Sequence, residues 1–93
     1  MKKGMTALQV AALLNASQDT TLTAAELSGN STGISTERRR RDFDELVYAG
    51  YLRITRHGRS PLYTLTPLGA TFAGFLSVLM ETRDALTVTQ AAD

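Results

Sequence analysis

Residues 35–67 read STERRRRDFDELVYAGYLRITRHGRSPLYTLTP. Ser35 is a helix N-cap, because its hydroxyl can accept one of the unpaired amides of a first turn. With Phe43 as the inward reference and ~100° per residue, Thr36, Leu46, Val47 and Gly50 fall within about 60° of it. Arg38, Arg41 and Glu45 then point away from the core, and Glu37 and Asp42 lie on the outer flanks. Gly50 is a helix stop, so the spacing predicts a helix over 36–49. Beyond it, Leu52 and Ile54 share one face, His57-Gly58-Arg59-Ser60 forms a turn beside Pro61, and Leu62-Tyr63-Thr64-Leu65 alternates again. That pattern predicts a β-hairpin. Thr66 caps and Pro67 occupies the first position of another helix.

Upstream, Ala7, Val10, Ala11 and Leu14 recur at i, i+3, i+4, i+7, with Leu8 and Leu13 widening the same face, so a helix is expected over about residues 6–16. Thr23-Ala24-Ala25-Glu26 fits a capping box, and Leu22 before it suits a short strand or an anchoring contact. The helix it opens is short, because Gly29-Asn30-Ser31-Thr32-Gly33 breaks it. Downstream, Leu68, Phe72, Phe75, Leu76, Val78, Leu79 and Met80 spread over more than one helix face, which calls for burial on two sides. Gly69 and Gly74 in that helix suit close approach of another chain.

The order helix, helix, helix, hairpin, helix is the winged helix-turn-helix plan: mostly α, with a three-helix core, a two-stranded wing and a C-terminal helix. Residues 1–82 are expected to form one winged-helix domain, with a dimerisation helix at 67–82 and a disordered tail at 83–93.

Composition narrows the function. The chain has 93 residues, 43% hydrophobic and 20% charged, the profile of one small globular domain rather than a disordered chain. With no Cys and one His, neither a disulfide staple nor a thiolate or His-rich metal centre is expected. No nucleophile–base constellation assembles around that single His, and no phosphate-binding or dinucleotide fingerprint occurs, so no enzyme and no cofactor are expected. Lys2 and Lys3 before an apolar stretch loosely imitate a signal peptide, but Thr6, Gln9 and Asn15 interrupt it and leave only Val10 to Leu14 unbroken. No run approaches a bilayer span, so no membrane partner and a cytoplasmic location are expected.

The net charge of +1 is unevenly spread. Between residues 34 and 63, seven Arg stand against four acids, giving +3, and the remainder of the chain is −2. Every positive residue of the middle segment is Arg, whose planar fork suits phosphates and guanine edges. Four of these, Arg38 to Arg41, sit in the first turns of a helix, where the dipole disfavours cations unless an anion is the partner. Spacing also allows i, i+4 pairs of Arg38 with Asp42, Arg40 with Asp44 and Arg41 with Glu45, which would orient the guanidiniums. Double-stranded DNA is the expected partner. Arg38 and Arg41 are the candidates for base or phosphate contact, Arg40 for a flanking phosphate, and Arg56, His57 and Arg59 for a wing that reaches the backbone or a minor groove.

Ser35, Arg40, Arg41, Asp42, Leu46 and Gly50 also resemble the recognition-helix signature of DeoR-type bacterial repressors. Leu65-Thr66-Pro67-Leu68-Gly69 is similar to the segment that opens the dimerisation helix of MarR- and PadR-type regulators. The resemblance implies a small homodimeric transcriptional regulator, paired through the C-terminal helix. Two departures stand out. Arg38 replaces a Thr of the pattern, and Arg39 replaces a core Ile or Val, so Arg39 must snorkel along its stem or pair with a carboxylate. A DeoR-type repressor would carry a sugar-phosphate-sensing module after the wing, and none is expected here. The alternative is a winged-helix adaptor or inhibitor that binds protein and not DNA.

Overall fold

Thr6 opens helix α1 (Ala7–Asn15): its hydroxyl accepts from the Gln9 amide at 3.1 Å, and the Gln9 side chain accepts from the Thr6 amide at 3.0 Å. The computed structural model describes residues 4–29, 33–56 and 58–92, and side chains as far as residue 82. Strand β1 (Leu22–Thr23) leads into helix α2 (Ala24–Ser28), then come helix α3 (Thr36–Tyr48), strands β2 (Leu52–Arg56) and β3 (Leu62–Leu65), and helix α4 (Pro67–Ala92). The Thr23–Glu26 capping box is closed in both directions, at 3.2 and 2.8 Å. The Ser35 hydroxyl accepts from the Arg38 amide at 3.1 Å, and Gly50 takes a φ of +91°, as a helix stop requires.

The hairpin belongs to a three-stranded antiparallel sheet in the order β1-β3-β2, with Leu22 opposite Tyr63 and Ile54 also opposite Tyr63 from the other side. The wing thus gains a third strand, and a further bond from the Leu65 amide to the Ser17 carbonyl (2.9 Å) ties its base to the end of α1. A register shift between Ile54 and Arg56 bends the strand as it leaves the core.

The core is Leu8, Ala12, Leu13, Leu27, Phe43, Leu46, Leu52, Tyr63 and Leu65. Phe43 is fully buried and meets Tyr63 edge-on, ring centres 5.7 Å apart. Helix α1 is rotated from the expected face. Leu8, Ala12 and Leu13 enter the core, whereas Ala7 is exposed and Val10, Ala11 and Leu14 are half-buried. That second stripe borders a groove against Leu76, Leu79 and Met80 of α4. The apolar residues of α1 occupy two faces, and Leu8, Ala12 and Leu13 on one of them share the core with Phe43.

Two placements on α3 also depart from the helical-wheel expectation. Thr36 is exposed rather than inward, at the lip of a cleft toward α2 and the wing turn. Asp42 is 3% exposed rather than on an outer flank. Its carboxylate accepts from the Thr6 hydroxyl at 3.0 Å, and Gln9, itself buried, donates to the Asp42 carbonyl at 3.0 Å and to Glu45 at 2.8 Å. These bonds let α1 and α3 bury polar groups at their contact without leaving them unpaired.

Helix α4 starts where Thr66 and Pro67 predict. The Thr66 hydroxyl accepts from the Gly69 amide (3.0 Å) and donates to the carbonyls of Gly50 and Tyr51. Tyr51 stacks on Phe72 with ring centres 4.9 Å apart. Gly69 serves an approach within the chain: a Cβ there would overlap the Tyr51 carbonyl and meet Leu65 Cδ1 at 2.7 Å. Beyond residue 82, where a disordered tail is expected from sequence, the helix continues to Ala92. Residues 83–92 contain neither Gly nor Pro, so nothing local stops it.

Candidate nucleic-acid interface

Helix α3 presents the N-terminal arginines on three different flanks. Arg38 lies over the buried Asp42, with Nε 3.8 Å from its carboxylate, on the α1 side. Arg41 projects from the outer face, in a hollow of about 590 Å³ that it shares with Glu37, Arg40, Asp44, Glu45 and Tyr48. Arg40, with Asp44 beside it, faces the wing across a groove of about 580 Å³ whose far wall is Gly58, Arg59 and Pro61. Among the described residues the Arg38–Asp42 contact is the only ion pair formed; Arg40 with Asp44 and Arg41 with Glu45 have the spacing but not the contact. Glu45 is drawn away by Gln9.

Within the wing, Arg56 and Arg59 behave differently. Arg56 donates through Nε and Nη2 to the Ser60 carbonyl, at 3.2 and 2.8 Å, and so clasps the turn. Arg59 makes no hydrogen bond or ion pair among the described residues and stands exposed opposite Arg40. His57 lies outside the described residues. The structure therefore brings Arg40 and Arg59 to one groove and leaves Arg38 and Arg41 on the other flanks of α3.

Arg39, absent from the residues expected to form the site, belongs to the same surroundings. It is half-buried, its Nε has no hydrogen-bond partner, and it lines a cleft with Arg40 and Arg59. The only signal in the sequence was an arginine in an apolar position of the helix.

Tyr63, at the floor between α3 and the wing, is held neutral. Burial raises its hydroxyl pKa above 10.0, the Asp44 carboxylate adds to that, and the Arg40 guanidinium partly offsets it. An unfolded chain would lose this proton near pH 10 while the folded chain keeps it. The stability from the neutral hydroxyl is therefore present below about pH 10 and is lost as pH rises above it. Urea unfolding at about pH 9 and about pH 11 should show a fall in stability that is smaller in Tyr63→Phe than in the parent. An equal fall in both would remove Tyr63 as its source.

The helix that stands beside a basic, sheet-anchored hairpin makes the architecture recognisable. No protein-family model and no curated protein matches the sequence. Among solved structures, Sso10a-2, a DNA-binding protein from Sulfolobus solfataricus, aligns with a TM-score of 0.71 at 18% sequence identity, over 97% of this chain and 92% of that one. The chain has a winged-helix fold like that of Sso10a-2. The DeoR-, MarR- and PadR-type resemblance finds no matching family model, so the likeness to Sso10a-2 is one of fold. Nearly the whole length of both chains takes part, α4 included. Among the described residues no helix is long and apolar enough to cross a membrane, and no group of three potential metal ligands occurs.

Proposed function

We propose that the chain binds double-stranded DNA as a homodimer, with α3 in the major groove and the wing on the flanking backbone, and that it acts in the cytoplasm as a transcriptional regulator by occupying an operator. The observation that carries this is the groove with Arg40 on one wall and Arg59 on the other, neither engaged in an ion pair among the described residues. Asp44 lines the same groove but forms no ion pair with either guanidinium among the described residues, so both arginines are available to an entering anion. The winged-helix fold, shared with a DNA-binding protein, supports the same reading. Dimerisation rests on α4, where Phe75, Val78 and Leu79 are each more than half exposed. Contiguous apolar surface of that kind on a small domain marks an interaction face.

The test separates affinity from specificity. Arg41 and Arg59 are the cleanest pair, since neither has a side-chain bond among the described residues, unlike Arg38 and Arg56. Arg41→Ala is expected to cost about 1–3 kcal/mol on a preferred site selected from random duplexes, and much less on random DNA. Arg59→Ala should weaken both alike and reduce the salt slope by about one unit. Neither should move the melting temperature. A parent chain that binds no duplex even at low salt would overturn the DNA reading. It would favour the adaptor, for which Tyr48, 95% exposed beside Glu37, Asp44 and Glu45, offers a contact surface.

A further inference from the structure

Arg39 is the arginine of the run that turns inward. Its Nε is sealed from solvent and donates to nothing. A buried donor without an acceptor costs about 1–3 kcal/mol, and more when charged. An apolar side chain at this point of the helix would be buried without that cost. The cleft it lines, about 220 Å³ between α2, the start of α3 and the wing turn, also receives Arg40 and Arg59, with the hydroxyl-bearing Thr36 and Ser60 at its edge. No carboxylate lines it, whereas three line the outer hollow of the same helix. Three arginines thus line a cleft that no carboxylate lines, with Asp44 standing in the adjoining groove beside Arg40 and Arg59. The cleft has room for a phosphate group and too little for a folded partner.

We infer that this cleft seats one phosphate of the DNA backbone, and that Arg39 is a phosphate-binding residue. The inference rests on the DNA reading and extends it to a residue that faces the core. A phosphate in the cleft faces Arg39, Arg40 and Arg59 together, and it reaches the Arg39 Nε, sealed in the unbound fold, once that side chain turns toward the cleft. Because the contact is to backbone, it adds affinity without reading sequence.

The experiment compares the parent with Arg39→Leu and Arg39→Lys on random and preferred duplexes over a range of salt. Arg39→Leu is expected to melt no lower than the parent and to lose about one unit of slope in log K against log salt on both duplexes. Arg39→Lys, which keeps the charge, should keep the slope. In the parent, the Arg39 Nε–H resonance should shift when duplex is added, a readout that stands even if Arg39→Leu fails to fold. Inorganic pyrophosphate is the control: a shift with it at equal phosphate concentration and none with duplex would mean a free anion and overturn the inference. An unchanged slope in a folded Arg39→Leu, or an unmoved resonance on a parent that binds DNA, sinks the phosphate seat alone. A parent that binds no duplex sinks the DNA reading and the seat with it.

Discussion

Gly69→Ala should lower the melting temperature by more than about 10 °C, corresponding to a loss of about 3 kcal/mol. The direction runs against helix propensity, which favours Ala over Gly by up to ~1 kcal/mol within a helix. What reverses it is the joint at the start of α4. The new methyl would occupy the place of the Tyr51 carbonyl oxygen and press on Tyr51 C at 2.9 Å and Leu65 Cδ1 at 2.7 Å. The carbonyl cannot swing away freely, because it accepts from both the amide and the hydroxyl of Thr66, each at 3.1 Å. Relief must come from moving α4 off the sheet, which uncovers Leu65 and separates Phe72 from Tyr51. Gly74, in the same helix with nothing within 4 Å, is the control: Gly74→Ala should be neutral or stabilising by up to ~1 kcal/mol. Thermal unfolding of the two variants decides the point, and a Gly69→Ala chain as stable as the parent would mean the helix is not seated as described.

A second large effect is expected in solution mass. Leu68, Phe75 and Leu79 recur at i, i+7, i+11 along α4 and form one exposed stripe. Phe75 and Leu79 are each 64% exposed, so changing them disturbs little of the core. In the proposed homodimer, the parent sediments at twice the 10.1 kDa chain mass at low micromolar concentration. Phe75→Glu with Leu79→Glu should give a folded monomer there. Burial of each such side chain contributes about 1.5–3 kcal/mol, so losing two on each protomer weakens association by more than about a thousandfold. A parent that is already a folded monomer at that concentration would remove the homodimer, leaving DNA binding to be judged separately.

Much of this fold is legible in the sequence because its boundaries are set by local chemistry. As caps and stops, Ser35, Thr23, Thr66-Pro67 and Gly50 each act on the turn beside them, and each stands where the structure uses it. Periodicity was less informative where an element has two apolar faces. In α1, both the Leu8–Ala12 and the Val10–Leu14 stripes qualify, and only the position of Phe43 chooses between them. Asp42 shows another limit. A carboxylate on a helix flank reads as solvated until Thr6, thirty-six residues away, is seen to donate to it while Gln9 holds the Asp42 carbonyl. The same holds at the candidate site. Arginine identity pointed to an anion, but the grouping of Arg39, Arg40 and Arg59, with Arg38 and Arg41 apart, depends on where the wing folds back.

Strand β1 is two residues long, yet it sets a timetable. Its partner Tyr63 follows Leu22 by about forty residues, and synthesis at ~5–20 residues per second delivers it about 2–8 s later. Helix α1 and its neighbours leave the ribosome with that strand's backbone still unpaired and the Phe43 ring without Tyr63 against it. The middle strand of the sheet is the last to arrive, so the first half of the chain waits for the second before its core can close.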